Sequence, residues 1–483
     1  MKVGVLVVAY NAESTLERVL DRIPVESGLE LAEVLVQDDH SADDTHSVAE
    51  AYERSRSRLN LTVVRHPQNL GYGGNQKAGY TYAINHGWDV VVLLHGDGQY
   101  APEIMGELIA PIVDGHADAV FGSRMMVRGQ ARKGGMPLYK YVGNRILTTF
   151  QNRLTGLRLS EWHSGYRAYR VAALADLPFV GNSDGFDFDT EIILQLAGAK
   201  KRIVEVPIPT YYGDEICYVN GLGYARDVVV DTIRFRLGRS GFGTGVLGRV
   251  SSEYSFKPSA HSSHGRILQL LDGRPPMSVL DVGCGPGWLA EPLVAAGHHV
   301  TGVDVHEADG VRTRTSSFIA ADLSNGLPDS IESTFDVVIA ADIVEHLADP
   351  SVLLRHIVGH VRPGGSVVVS VPNIAHWYPR LRVMAGRFDY DQRGILDATH
   401  LRFFSRRSFL RLARSVGLEA RRRAHTGLPL DALGLGGSRL VTSTLGRLDR
   451  LLVRLWPTMF AYQFVFELVP WHEGALLGDQ SAA

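Results

Sequence analysis

Residues 279–293, VLDVGCGPGWLAEPL, read as an apolar strand reaching Asp281, a turn carrying Gly283, Gly285 and Gly287, and the start of a helix. A glycine-rich turn between strand and helix opens a parallel α/β sheet, because glycine lets the backbone approach a ligand at the strand's C-terminal end. The sheet begins near Met277, with a strand at Ser278 to Asp281, and continues through Val300 to Asp304, Phe318 to Ala321, Val337 to Ala341 and Val367 to Val371. Short valine-rich runs between helical stretches predict strands buried on both faces. Upstream lies a separate series at Val3 to Val8, Val34 to Val36, Leu61 to Val64, Val90 to Leu94 and Ala119 to Phe121. There Ser41 with Asp44 reads as the capping pair of a helix carrying Val48 and Ala51, and Pro102 suits a first helical turn.

Between the two series, GRSGFGTGVLGRVSSEYSFKPSAHSSHG (238–265) is rich in glycine and serine and marks a seam near residue 245. Two different α/β domains, 1–245 and 246–483, are expected, which agrees with a prior of about 150 residues per domain. The halves share a rhythm but no repeated motif. Net charge is −3, too balanced for a protein that binds nucleic-acid phosphates, and 45% hydrophobic with 21% charged residues suits a globular enzyme. Cys217 and Cys284 are too few for a disulfide framework, which points to a reducing, cytoplasmic setting. Neither a signal peptide nor an apolar run of about 20 residues is visible, so no membrane crossing is expected.

In the first half, Asp38 and Asp39 end the second strand where a base and ribose could be read. In LLHGDGQY, alternation past the strand would put His95, Asp97 and Gln99 on one side of an extended segment, able to converge on a cation. Such a cation would neutralise a diphosphate leaving group. Asn75 and Lys77 follow a glycine cluster and supply polar contacts. Asp187, Asp189 and Glu191 open a helix and are candidates for a general base, Asp189 foremost, although Asp187 and Asp189 could equally cap that helix. Arg124, Arg128, Arg132, Lys133, Lys140 and Arg145 crowd the segment after the fifth strand, where they could hold an acceptor phosphate or simply be solvated. Tyr224 to Arg239 predicts a helix with Val228, Val229, Ile233 and Leu237 apolar and Arg226, Arg234 and Arg236 basic, fit either to pack on its domain or to lie on an anionic membrane.

The motifs VAYNAESTL, VQDDHSADDT, NLGYGGNQKAG, HGDGQY, FGSR, HSGYRAY and GFDFDTEIILQL occur in this order over residues 1 to 240. Together they resemble family 2 glycosyltransferases, especially bacterial relatives of dolichol-phosphate mannose synthase. The resemblance implies a nucleotide-diphosphosugar transferase (GT-A type) fold and a nucleotide-sugar donor. It also implies that Tyr10 and Asp39 contact the nucleotide, while Asp97 and Gln99 hold Mg2+ or Mn2+. His95 stands where the family's first aspartate would be. The acceptor is left as a glycan, a polyprenyl phosphate or a small molecule, with peripheral contact at the inner membrane face for the lipid case. PIPTYYGDEICYVNG lacks the arginine and lysine that resembling polyprenyl-phosphate enzymes carry there.

In the second half a dinucleotide fingerprint would need a glycine where Trp288 stands, which favours S-adenosylmethionine over NAD at Asp281, Gly283, Gly285 and Gly287. Asp304 closes the next strand and can accept from both ribose hydroxyls, and Asp322 can meet the adenine amino group. His346 and His400 are candidate bases, with Asp397 three residues before His400 and able to orient it if the segment is helical. No metal cluster is expected in this half. The order of these motifs, ending in FAYQFVFELV as an antiparallel last strand, resembles class I S-adenosylmethionine-dependent methyltransferases with a Rossmann-like fold. By that resemblance Gly283, Gly285, Asp304, Asp322 and Asp342 bind the cofactor. The whole chain is then expected to join sugar transfer to methylation of a glycan or glycan precursor, with a noncatalytic binding module in one half as the rival reading.

Overall fold

A computed structural model describes residues 1–24, 31–55, 58–211, 220–243, 259, 261–429 and 439–471. Cys217 and most of the glycine- and serine-rich seam lie outside the described residues. The chain divides into two compact units, the first covering Met1–Leu237, while Gly238–Gly243 groups with the second. The passage from one unit to the other thus begins a few residues before position 245.

The first unit is a seven-stranded sheet formed by β1 (Val3–Ala9), β2 (Leu31–Asp38), β3 (Leu61–Arg65), β4 (Val90–His95), β5 (Ala119–Ser123), β6 (Arg167–Arg170) and β7 (Ile203–Pro207). Its order is β3-β2-β1-β4-β6-β5-β7. Every residue of β1 is buried. Val3, Val5 and Val7 pack into one core while Leu6 and Val8 pack into the other, as period-two alternation requires of a central strand covered on both faces. The sheet is not wholly parallel: β6 runs antiparallel to both β4 and β5. That strand is only four residues long and its sequence, RAYR, lacks an apolar run. The helix after β2 begins at Thr45, and Asp43 rather than Ser41 receives the Thr45 backbone N–H, at 3.1 Å. Ser41 instead donates to Asp38 and accepts from Asn11 N.

The second unit holds β8 (Ser278–Val282), β9 (His299–Asp304), β10 (Ser317–Ala320), β11 (Phe335–Ala341), β12 (Val361–Pro372), β13 (Leu418–Thr426) and β14 (Gln463–Pro470). The order is β10-β9-β8-β11-β12-β14-β13, with β14 antiparallel to β12 and β13. The expected last strand is therefore β14, and β13 forms the edge. Among the described residues no helix is long and apolar enough to cross a membrane.

Candidate active sites

Strand register brings the acidic loops of the first unit to one edge of the sheet. Ala9 pairs with Asp38 and Val8 pairs with His95, so Tyr10, Asp38, Asp39 and the turn after His95 follow adjacent strand ends. This C-terminal edge is where open α/β sheets bind ligands.

At that edge the Tyr72 hydroxyl lies 2.9 Å from Asp189 Oδ2 and 3.2 Å from His95 Nε2. A phenol has one proton and the carboxylate only accepts, so Tyr72 donates to Asp189 and the His95 Nε2–H donates to Tyr72. In the neutral ring this leaves the His95 lone pair on Nδ1. Burial lowers its pKa, although Asp97 and Asp189 act in the opposite direction. Gln76 Nε2 reaches Asp189 Oδ1 at 3.3 Å, and Arg167 Nη1 stands 3.5 Å from the same oxygen. Burial works against the Arg167 charge, yet Asp189 and the phenols of Tyr169 and Tyr72 leave its pKa raised. Tyr100 accepts the Gly165 N–H at 2.7 Å and meets the His95 ring edge-on. A Cβ on Gly165 would lie 2.6 Å from His95 Nε2, so the absence of a side chain there gives the imidazole its place.

The segment after β4 turns rather than extending. Gly98 adopts φ +78°, and the Asp97 carboxylate accepts from Gln99 N at 3.0 Å. Asp97 is exposed at the tip and the three residues expected to ligate do not share one face. Asp97 with the Nδ1 lone pair of His95 suits a divalent cation, which would take its remaining ligands from a bound diphosphate.

Several other expected contacts serve the scaffold. Asp38 is fully buried, receiving the Ser41 N–H at 3.1 Å with Arg65 Nε 3.3 Å away. Asp39 accepts the Leu70 N–H at 2.7 Å, tying β2 to the helix Gly71–Asn85, and burial raises its pKa. Asn75 is buried between His66 and the Gln37 carbonyl, and Lys77 bonds the Asn182 carbonyl at 2.7 Å and pairs with Asp184. These two residues hold the helix instead of facing Asp189. Tyr72 and Gln76 on the same helix do face it, and sequence reading passed over them. Their four-residue spacing, continued by Tyr80, was the available signal.

Asp187 is the N-cap residue of the helix Phe188–Gly198 but makes no side-chain cap, and Asp189 and Glu191 point apart as positions two residues apart on a helix must. Glu191 accepts the Ser183 N–H at 2.6 Å and gathers with Asp187 and Asp231. Burial, followed by the charges of Asp231 and Asp187, pushes Glu191 up to about 7. Among the basic candidates, Arg124 turns inward onto Glu161, with Nε 3.0 Å from Oε1, and onto the His163 carbonyl. Arg132 bonds the Met136 carbonyl. Lys140 and Arg145 lie on the helix Leu138–Thr155, whose residues Leu138, Val142 and Ile146 are exposed. In the helix Gly221–Arg239, Val228, Asp231, Thr232 and Phe235 are buried while Ile233 and Leu237 are partly exposed, so it packs on its own domain along one side.

In the second unit, Gly283, Gly285 and Gly287 all have positive φ, which makes a cradle that residues with a Cβ would strain to form. Asp304 Oδ2 accepts the Gly285 N–H at 2.8 Å and fixes that turn. Asp281 is buried beneath it with Oδ2 unbonded, and burial followed by the Asp304 charge pushes it up to about 7. Asp322 is exposed at the end of β10, its pKa lowered by Ser324. Asp342, at φ +53°, accepts from Ser370, from Gln463 Nε2 at 3.0 Å and from Ser263 at 3.3 Å. Backbone approach from the cradle with carboxylates at neighbouring strand ends fits S-adenosylmethionine.

The expected link between Asp397 and His400 does not form. Residues 397–400 make a turn, and the Asp397 carboxylate accepts from Thr399 N at 2.8 Å and Thr399 Oγ1 at 2.7 Å. His400 instead meets His346, with ring centroids 4.9 Å apart. Glu345, His346 and His400, which their sequence spacing does not group, bring one ligand atom each within 4.8 Å of one another. Their separation in sequence hid the cluster.

Residues 4–177 match the family described as Glycosyl transferase family 2, and residues 261–422 match one described as Methyltransferase domain. The chain is 30% identical over 210 residues to an undecaprenyl-phosphate mannosyltransferase of Micrococcus luteus, covering 43% of this chain and 83% of that protein. It is 28% identical over 217 residues to a UDP-N-acetylglucosamine–dolichyl-phosphate N-acetylglucosaminyltransferase of Methanococcus voltae, 43% of this chain and 84% of that one. In the second half it is 35% identical over 135 residues to a ubiquinone biosynthesis O-methyltransferase of Pseudomonas syringae pv. tomato, 25% of this chain and 56% of that relative. The chain belongs to the family 2 glycosyltransferases, and in it that domain is followed by a methyltransferase domain.

Proposed function

We propose that the first domain, 1–245, moves a sugar from a nucleotide-diphosphate donor to a polyprenyl phosphate at the cytoplasmic face of a membrane. In the same reading the second domain, 246–483, methylates an oxygen of a glycan or glycan precursor. The observation that carries the lipid-phosphate acceptor is the state of Asp189. Tyr72, Gln76 and Arg167 all approach its two oxygens, so it serves as an anchor more readily than as a base. A hydroxyl acceptor needs a base to take its proton, whereas a phosphate arrives already ionised. The two relatives of the first domain that are named for polyprenyl-phosphate and dolichyl-phosphate acceptors support the same class.

Support also comes from the helix Leu138–Thr155. Leu138, Val142 and Ile146, exposed by 61%, 44% and 64%, form a row at four-residue spacing beside Lys140 and Arg145. An apolar row flanked by cations suits the headgroup region of an anionic bilayer. In this reading Arg132, Lys140 and Arg145 receive the acceptor phosphate, and Tyr10 and Asp39 lie toward the nucleotide. Asp97, with the Nδ1 lone pair of His95, would hold Mg2+ or Mn2+, which supplies charge neutralisation for the departing diphosphate. The protein's own part is to fix that edge through the hydrogen bonds of His95, Tyr72 and Asp189.

In the second domain Gly283, Gly285, Gly287, Asp281, Asp304, Asp322 and Asp342 would seat S-adenosylmethionine, and His346 and His400 lie toward the methyl acceptor. Purified protein given labelled nucleotide sugars, Mn2+ and either a polyprenyl phosphate or soluble glycans tests the acceptor class. Label extracted with the lipid supports this reading, and label found only in soluble glycan replaces it with the hydroxyl acceptor and an Asp189 base.

A further inference from the structure

We propose that Glu345, His346 and His400 form a divalent-cation site in the methyltransferase domain, and that the cation binds the acceptor through its oxygen atoms. The second part rests on the reading that this edge receives the methyl acceptor; the first does not.

The cluster is built by backbone. Glu345 and His346 sit on the short turn Val344–His346 just after β11. The loop carrying His400 is held against that turn because Leu401 N and Arg402 N both donate to the Glu345 carbonyl, each at 2.9 Å. Arg402 also bonds the Ala348 carbonyl at 2.8 Å. Two distant stretches of chain are thereby fixed before any side chain is considered.

Tautomers then make the site ready for a metal. His346 Nδ1 lies 3.2 Å from the Thr399 carbonyl, and His400 Nδ1 lies 3.2 Å from the Ile395 carbonyl. A carbonyl only accepts, so both rings carry hydrogen on Nδ1 and a lone pair on Nε2. An outer hydrogen bond that sets the tautomer and the ring angle is the usual support of a histidine ligand. Glu345 and His400 are 1% and 8% exposed, while His346 is half-buried and leaves the site a side open to water. Two imidazoles and one carboxylate suit Mn2+, Fe2+, Co2+ or Zn2+ and leave further positions open.

Those open positions define the acceptor class, a compound presenting a hydroxyl with a second oxygen beside it, such as the vicinal diol of a sugar. Coordination lowers the hydroxyl pKa, and the released proton passes to solvent. The resulting oxygen lone pair forms the new O–CH3 bond as the C–S bond of the sulfonium breaks, and neutral S-adenosylhomocysteine leaves. No histidine has to take the proton.

The test is Mn2+ binding to the full chain, measured by electron paramagnetic resonance in an Asp97→Ala background that removes the other candidate site. We expect bound Mn2+ that weakens by at least about tenfold in both His346→Ala and His400→Ala. Thermal stabilisation by S-adenosylmethionine should survive in each, showing that the domain still folds. Mn2+ binding unchanged by both substitutions overturns the site. Should either variant fail to fold, Cu2+ bound to the Asp97→Ala protein gives the answer without them: splitting by two ligand nitrogens supports the site, and an oxygen-only spectrum refutes it. If the cation binds here but methylation of a diol acceptor is equally fast in its absence, the metal site stands and its role toward the acceptor fails.

Discussion

The Tyr72 hydroxyl donates to Asp189 Oδ2 at 2.9 Å and so joins the start of one helix to the first turn of another across the candidate sugar-transfer site. Because the Tyr72 hydroxyl oxygen in turn receives the His95 N–H, one phenol sets both the tautomer of His95 and the position of Asp189. Tyr72→Phe removes the middle of that chain and leaves two buried polar groups short of a partner, at a cost of about 1–3 kcal/mol. Thermal unfolding should move down by several degrees and sugar transfer should fall, while methyl transfer stays intact. Equal loss of both activities would mean that the substitution damages the whole protein.

Gly165→Ala tests the space beside His95. The added methyl would lie 2.6 Å from His95 Cε1 and Nε2 and 3.0 Å from the Tyr72 hydroxyl, so the ring must move. Sugar transfer is expected to drop strongly, with nucleotide-sugar binding less affected. Unaltered transfer would show that the position of His95 does not matter.

Much of this was legible in the sequence. The valine runs predict both sheets because a strand buried on two faces has no other composition open to it. The glycine turn at 283–287 and Asp304 were readable because turn, strand end and acid are local features. β6 was not, since RAYR carries no apolar pattern and its pairing with β4 and β5 is decided by tertiary contacts. The extended placement of His95, Asp97 and Gln99 failed because Gly98 turns the chain. The grouping of His400 with His346 depends on backbone bonds from Leu401 and Arg402 to Glu345, contacts that span more than fifty residues of sequence and have no local signature.

The carboxylates of Glu191 and Asp231 give the first domain a pH-dependent weakness. Burial, followed by neighbouring charge, raises Glu191 from 4.5 to about 7 and Asp231 from 3.8 to about 6. The folded state therefore binds protons more tightly than the unfolded chain over this interval, and stability declines as pH rises from about 4.5 to about 7, then levels. Glu191→Gln should flatten part of that decline and raise the unfolding temperature at pH 8 more than at pH 5. Unfolding curves recorded across this range check the sign, and a larger gain at pH 5 would contradict it.

Asp304→Ala removes the acceptor that fixes the Gly285 N–H. Stabilisation by S-adenosylmethionine should fall, with affinity weaker by roughly 10–100-fold, or about 1.4–2.8 kcal/mol. Stabilisation by nucleotide sugar should not change. Titration calorimetry with each ligand separates the two outcomes.

The exposed row Leu138, Val142 and Ile146 predicts membrane association. Replacing all three with serine should abolish flotation with anionic vesicles and leave nucleotide-sugar binding in solution as it was. Flotation that persists would move the membrane contact elsewhere on the chain.

The central claim is tested most directly by measuring transfer of labelled sugar from a nucleotide donor to polyprenyl phosphate in vesicles, comparing the unsubstituted chain with Asp97→Ala. Mn2+-dependent lipid-linked label in the first and its loss in the second, with S-adenosylmethionine binding equal in both, is the predicted result. Lipid-linked label formed equally well by Asp97→Ala, or by neither protein with any donor sugar, would contradict the account.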